Sequence, residues 1–227
     1  MACCKLTKYS VREVTLSTLA MLVFSAAGLL WLPPWAAAII VAIMLAVWGW
    51  VLWFFRDPDR PTPTEPGAII SPADGTVTDI TPLGAGSMLG RDGVQIGIFM
   101  SVFSVHVNRS PVDGVIDHVD HVNGAFLDAR DPAASQRNEA ATIYMHYTHN
   151  GQTWPIVFRQ IAGLIARRII TDITSGQAVK RGERIGMIKF GSRMEVLVPV
   201  ELVGEVCVKI GQKVQAGLTV LAKSGSK

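Results

Sequence analysis

The chain has very few cysteines: only Cys3, Cys4 and Cys207 among 227 residues, two adjacent and the third remote. No disulfide framework fits that spacing, and a reducing compartment suits it. Runs of basic residues are missing too. The formal charge is +3 and dispersed, which excludes the electrostatic footprint of a nucleic-acid binder. A mild excess of lysine and arginine still suits an anionic membrane surface. Finally, no charged residue occurs between Thr15 and Phe55. Mean hydropathy over the chain is +0.34, high for a protein that lives wholly in water.

That uncharged region is two apolar blocks, Thr15 to Leu32 and Trp35 to Phe55, separated by Pro33-Pro34. Each is close to the roughly 20 residues that a membrane helix needs. A proline pair cannot continue a helix, so the expectation is a transmembrane helical hairpin over residues 1–55. Trp31, Trp35, Trp48, Trp50 and Trp53 lie toward the block ends, where interfacial indoles belong. Lys5, Lys8 and Arg12 precede the first block and Arg56 and Arg60 follow the second, while the connector carries no charge. The positive-inside bias puts both ends, and everything after Phe55, on the cytoplasmic side of the cell membrane. A cleaved signal peptide is the rival, with Ala36-Ala37-Ala38 as the small-residue site, but the second block would still hold the product in the bilayer. A shallow first block, weakened by Ser17 and Thr18, is another.

Residues 56–66 are rich in proline and charge and read as a stiff linker. From Gly67 onward the composition is globular, and about 160 residues suffice for one core. Short β-branched runs alternate there with Gly and Pro: Ala68–Ile70, Gly75–Ile80, Val94–Phe99, Gly114–Val119, Thr142–Tyr147, Trp154–Phe158 and Glu195–Val200. This pattern predicts a mainly β domain of sandwich or barrel type over 67–227, with a helix only around Ala162–Ile170. One echo stands out. Gly176-Gln177-Ala178-Val179-Lys180-Arg181-Gly182 and Gly211-Gln212-Lys213-Val214-Gln215-Ala216-Gly217 both read Gly-Gln-x-Val-x-x-Gly. Paired turns of this kind occur in domains that carry biotin or lipoate on a hairpin lysine, and Lys189 lies between them. A membrane-tethered carrier or adaptor without catalysis is therefore the alternative. The plain reading is two similar turns.

Lys189-Phe190-Gly191-Ser192-Arg193 concentrates the chemistry. Glycine lets the backbone at 191 adopt conformations closed to other residues, and Ser192 puts a hydroxyl beside its carbonyl. A base could drive that hydroxyl onto the carbonyl, turning the peptide bond into an ester. In most proteins a Gly-Ser pair is only a turn. His106, after an apolar run, and Asp74, in Ser71-Pro72-Ala73-Asp74-Gly75, are the candidate base and its orienting carboxylate. Taken singly, the first is an ordinary structural histidine and the second a turn-former. His118 with His121, and His146 with His149, have His-x-x-His spacing. They fall in strand or loop with no cysteine nearby, so no metal site is expected.

Several segments together resemble the phosphatidylserine decarboxylases, in their short membrane-anchored form. They are Phe55-Arg56-Asp57-Pro58, Ser71 to Gly75, His106-Val107-Asn108-Arg109-Ser110-Pro111, Gln160-Ile161-Ala162-Gly163 with Ala166-Arg167-Arg168-Ile169, and Arg184 to Arg193. Two departures are visible. An alanine follows Glu139 where the family has arginine, and Arg109 stands where longer members have a second histidine. The resemblance implies a precursor that cleaves itself between Gly191 and Ser192 into two chains, Ser192 becoming a pyruvoyl group heading the smaller one. His106 would serve as base and Asp74 as its partner, with His106 also the proton donor in catalysis. The pyruvoyl ketone would take up the electrons released when phosphatidylserine loses its carboxylate to give phosphatidylethanolamine. A sink built from the chain needs neither pyridoxal phosphate nor metal. Arg109, Arg167 and Arg168 are candidates for the lipid's phosphate or carboxylate, since guanidinium suits both. The implied partners are a phospholipid substrate, the membrane and the two chains of one precursor, with a homo-oligomer left open.

Overall fold

The computed structural model describes residues 5–131, 133–164, 168–189 and 191–225. It divides into two compact units, Met1–Asp59 and Arg60–Lys227.

In the first unit, strand β1 (Lys5–Leu6) leads through a single 3₁₀ turn into helix α1 (Val11–Trp31). Helix α2 (Pro34–Phe54) follows, then strand β2 (Arg56–Asp57). Pro34 occupies the first turn of α2, where its missing N–H leaves no acceptor unpaired. Twenty-one residues at 1.5 Å each give about 31 Å, the thickness of a bilayer's hydrocarbon core. Both helices are long and apolar enough to cross a membrane. They approach closely at Gly28, where an added Cβ would already touch Ile40 at 3.4 Å. Trp48 Nε1 donates to Thr18 Oγ1 at 2.9 Å, so the hydroxyl that weakened the first block is used between the helices. The two ends of the hairpin are tied by β1–β2 pairing and by a Lys5–Asp59 ion pair at 3.0 Å.

The second unit is mainly β. Its strands are β3 (Ala68–Ile70), β4 (Gly75–Leu83), β5 (Gly93–Met100), β6 (Val107–Arg109), β7 (Gly114–Val122), β8 (Ala140–His149) and β9 (Gln152–Ile161). After them come β10 (Ile169–Thr171), β11 (Ala178–Val179), β12 (Arg184–Ile188), β13 (Ser192–Pro199), β14 (Val203–Val206), β15 (Lys213–Val214) and β16 (Val220–Ser224). One helical turn, α3 (Ala134–Arg137), interrupts them. An eight-stranded curled antiparallel sheet has the order β11-β7-β8-β9-β13-β5-β4-β15. Two three-stranded sheets, β10-β12-β6 and β14-β16-β3, accompany it. Every predicted run lies within a strand apart from Val200, the residue just after β13. The helix expected at Ala162–Ile170 does not form where the chain is described: β9 runs to Ile161 and β10 begins at Ile169. Ile169-Ile170-Thr171 is β-branched throughout and pairs with β12, which outweighs any local helical tendency.

The Gly-Gln-x-Val-x-x-Gly echo proves to be half of a larger duplication. Its strands β11 and β15 close the two edges of the eight-stranded sheet, pairing with the first residues of β7 and β4. Those strands each follow a Ser-Pro-x-Asp-Gly turn, at Ser71–Gly75 and Ser110–Gly114. The bonds correspond one to one. Ser71 Oγ donates to the Ala73 carbonyl and Ser110 Oγ to the Val112 carbonyl, both at 2.7 Å. Asp74 accepts from the Ala216 N–H at 2.8 Å, and Asp113 from the Arg181 N–H at 3.0 Å. Reciprocal bonds join the halves: Ile70 N–H to the Pro111 carbonyl at 3.0 Å, Arg109 N–H to the Pro72 carbonyl at 2.9 Å. The four echo glycines at 176, 182, 211 and 217 all have φ between 78° and 86°, which explains why they are glycine.

Strand β13 runs through the middle of the large sheet and all its residues are buried. Alternation sends Met194, Val196 and Val198 into the apolar core with Ile98, Ile143 and Phe158. The opposite face carries charge. Glu195, fully buried, accepts from Arg159 at 3.0 Å, from Arg193 Nε at 2.9 Å and from Ser135 Oγ at 2.5 Å. Arg193 continues to Thr78 at 2.8 Å and Asp79 at 2.6 Å. Burial alone would lower the Arg193 guanidinium, but the charges and hydrogen bonds of Glu195 and Asp79 prevail and raise it.

Removing one member of such a network strands its partners. Glu195→Ala is expected to cost about 3–5 kcal/mol, read as a lower urea midpoint for the uncleaved chain in detergent. Asp74 and Asp113 hold equivalent turns, but Asp74 also pairs with Arg60, whose side chain is 9% exposed. Asp74→Ala should therefore lower that midpoint by more than Asp113→Ala does.

Candidate active site

The Gly191–Ser192 junction lies where three pieces of backbone converge. Strand β12 delivers Lys189 and, beyond it, Gly191. Strand β13 begins at Ser192, which pairs with Met100 of β5. Strand β6 is the antiparallel neighbour of β12, in register Met187 to Val107. That register carries His106, the residue just before β6, up to the junction.

His106 is wholly buried, and its two nitrogens have distinct partners. Nε2 lies 3.2 Å from the Gly191 nitrogen and accepts its N–H. The ring proton is then on Nδ1, which donates to the Ser104 carbonyl at 2.9 Å. This is the tautomer a base needs, with its lone pair aimed at the junction. Gly191 has φ 66°, in the left-handed region that favours glycine, so the chain bends there before entering β13. Ser192 is therefore the first residue of a central strand and not part of a hairpin turn.

The Ser192 side chain is wholly buried and its hydroxyl donates to Met100 Sδ at 3.3 Å. Thioether sulfur is a weak acceptor, so this contact holds the hydroxyl lightly. Beneath it runs a buried polar row. Asn108 donates to the same sulfur at 3.7 Å, Gln160 donates to Asn108 Oδ1 at 2.9 Å, and Thr171 donates to Gln160 Oε1 at 2.7 Å. Asn108 and Gln160 lie inside the segments that carried the family resemblance, yet side-chain type alone gave them no role. A buried amide after an apolar strand was the only available signal.

The other expected site residues are placed as follows. Asp74 does not meet His106. Its two oxygens accept from Arg60, at 2.5 and 2.8 Å, and one also takes the Ala216 N–H. Among the described contacts Nδ1 of His106 meets the Ser104 carbonyl, and Asp74 staples the duplicated turn. Arg109, 5% exposed, donates to the Gly182 carbonyl at 2.9 Å and so packs under the first echo turn, away from solvent. Arg168 is exposed, and its carbonyl accepts the Lys189 N–H at 3.2 Å, which sets it beside the segment entering the junction. Arg167 lies outside the described residues. Lys189 is 5% exposed. A carrier lysine must present its amine to a modifying enzyme at a hairpin tip, so the carrier alternative is overturned by this burial.

A hollow of about 890 Å³ opens on the charged face of the large sheet, lined by Arg159, Arg193, Glu195, Asp79, Thr142 and Tyr144 among others. Strand alternation puts it on the side of Arg193, opposite the Ser192 hydroxyl. Arg130 also lines it, and its hydrogen bonds hold the Asp128 carboxyl at about 2, below the ordinary 3.8. The histidine pairs have partners of their own. His118 stacks on Tyr144 with ring centres 4.2 Å apart and pairs with Asp117, while His121 pairs with Glu139 and His149 with Ser224. Among the described residues no three His, Cys, Asp or Glu side chains converge as a metal site.

Comparison with known proteins adds the lineage. The family model described as phosphatidylserine decarboxylase matches residues 48–222. The chain is 44% identical over 199 residues to a phosphatidylserine decarboxylase proenzyme of Paramagnetospirillum magneticum, covering 86% of this chain and 78% of that one. It is 42% identical over 199 residues to the proenzyme of Burkholderia cenocepacia, covering 82% and 90%. It is 44% identical over 176 residues to that of Pelobacter propionicus, covering 77% and 76%. Identity at this level over most of both chains, with the Gly191–Ser192 junction inside the matched span, places this chain in the phosphatidylserine decarboxylase family.

Proposed function

We propose that the chain is a precursor that cleaves itself between Gly191 and Ser192 and, once cleaved, converts phosphatidylserine to phosphatidylethanolamine. One observation carries the reading: an acceptor nitrogen of a buried histidine lies 3.2 Å from the nitrogen of a left-handed glycine whose carbonyl precedes a buried serine. The relatives' shared designation as proenzymes supports it.

The chain's own residues supply the cleavage. His106 Nε2 exchanges the Gly191 N–H for the Ser192 hydroxyl, and Ser192 Oγ leaves Met100 to attack the Gly191 carbonyl carbon. The hydroxyl proton passes to Nε2 and on to the Ser192 nitrogen as the C–N bond breaks, leaving an ester. Loss of the Ser192 Cα proton then breaks the Cβ–Oγ bond and frees Gly191 as a carboxylate. The dehydroalanine left at 192 tautomerises to an imine, and one water molecule adds to that imine and expels ammonia, leaving a pyruvoyl group at position 192. That group supplies the electron sink for decarboxylation. The burial that surrounds residue 192 excludes bulk water from it, and His106 is the side chain placed to deliver a proton there. Arg168, exposed beside the entering segment, is the described arginine best placed for a lipid phosphate.

The two apolar helices are proposed to span the membrane as a hairpin. The charges at Lys5, Lys8, Arg12, Arg56 and Arg60 favour both its ends, and the β unit, on the cytoplasmic side.

Denaturing electrophoresis and mass spectrometry test the cleavage. The purified chain should give two pieces, with a blocked pyruvoyl end at residue 192, and Ser192→Ala should give one. His106→Ala should slow cleavage by about 10²–10⁴-fold. An intact wild-type chain that still decarboxylates lipid would sink the proposal. Arg168→Ala should leave cleavage unchanged and raise KM for phosphatidylserine several-fold, about 1 kcal/mol of lost charge-assisted bonding.

A further inference from the structure

We propose that Gly163 is a positioning residue for self-cleavage: its missing side chain is the space in which the scissile Gly191 carbonyl sits and changes shape. This rests on the reading that the chain cleaves itself, and goes beyond it by assigning the other end of the junction.

The register fixes the opposition. Strand β9 pairs with β13 up to Ile161 opposite Arg193. Two residues further along each strand, Gly163 faces Gly191. A Cβ built on Gly163 would lie 2.3 Å from the Gly191 oxygen and 3.1 Å from its carbon. The contact with the oxygen is shorter than real Cβ atoms show, and the one with the carbon is tight. Gly163 is not among the glycines with positive φ, so its backbone is one that alanine adopts without strain. The requirement for glycine is therefore space, and the space belongs to one oxygen atom.

Neither side can back away. The Ala162 N–H donates to the Glu139 carbonyl at 2.9 Å, and the buried Asn138 amide donates to the Ala162 carbonyl at 2.8 Å. Asn138 is itself anchored by exchanging two bonds with Leu127, both 2.9 Å. Ala129 Cβ closes a further side, 3.2 Å from where a Gly163 Cβ would be. Across the junction His106 holds the Gly191 N–H. Residue 191 is thus gripped at its nitrogen by His106 and confined at its carbonyl by Gly163.

The chemistry needs that room. When Ser192 Oγ bonds to the Gly191 carbon, the flat carbonyl becomes tetrahedral and its oxygen swings out of plane carrying negative charge. The bond to the Ser192 nitrogen then breaks as that nitrogen takes the proton. A methyl group at 163 displaces the oxygen before this can begin. A 1 Å misplacement of reacting atoms is enough to cost about 10²-fold in rate. Later elimination breaks Cβ–Oγ and does not depend on this space, so the block falls before the ester.

The test uses the full chain in detergent. Wild type should cleave, Ser192→Ala should not, and Gly163→Ala should cleave about 10²-fold more slowly. Hydroxylamine, which cuts esters, should release no fragment from the Gly163→Ala precursor. The uncleaved double variant Gly163→Ala/Ser192→Ala should melt within about 5 °C of Ser192→Ala. Three results overturn the assignment: a wild-type cleavage rate in Gly163→Ala, a hydroxylamine-sensitive ester accumulating in it, or a double variant that melts far lower or does not fold, which would make Gly163 merely structural. Failure of the wild type itself to cleave would instead remove the self-cleavage reading.

Discussion

Everything at the reactive junction depends on strand β13 being unable to move. It is buried on both faces, hydrogen-bonded to β5 and β9, and pinned on its polar side by the Arg159–Glu195–Arg193–Asp79 network. Arg193 directly follows Ser192, so the anchor begins one residue from the bond proposed to break. Charges buried in this way rarely add stability over apolar packing, but they tolerate only one arrangement. Fixed register is what self-cleavage needs, because the piece beginning at 192 must keep its place after its covalent link is gone.

The bend at Gly191 has meaning only against that rigid background. A left-handed residue at the head of an immobile strand presents its N–H to one neighbour and its carbonyl to another. His106 meets the first and Gly163 leaves room for the second. The hydroxyl of Ser192 rests on a sulfur, one of the weakest acceptors available, so little is lost when it turns toward the carbonyl. Beneath it, Gln160 donates to Asn108, and Asn108 shares the Met100 sulfur with the serine, which weakens that acceptor further.

The duplicated turns give Asp74 a structural task of its own. An aspartate in a Ser-Pro-x-Asp-Gly turn also invites a triad reading with His106. Its counterpart Asp113 makes the equivalent backbone bond at the far edge of the sheet, with no catalytic group beside it. The shared task is to fasten a turn to the two-residue strand at the sheet's edge, and so short an edge strand offers little to pair with. Arg109 is drawn into the same framework by its bond to the Gly182 carbonyl.

Composition and local pattern were enough for the apolar hairpin, the β class and the strands around Ile98, Ile143 and Phe158, because those features rest on hydrophobic length and period-two alternation. The segments around His106 and Ser192 were legible as motifs for the same local reason. Pairing was not legible. That Gly163 faces Gly191 and that His106 reaches Gly191 depend on registers between strands far apart in the chain, while the Asp74–Arg60 and His106–Ser104 bonds depend on the paths of loops that local preference does not fix. The residue preferences at those positions are shared with ordinary turns. Long-range hydrogen-bond register, set by the whole sheet at once, decided which of the candidate residues meet.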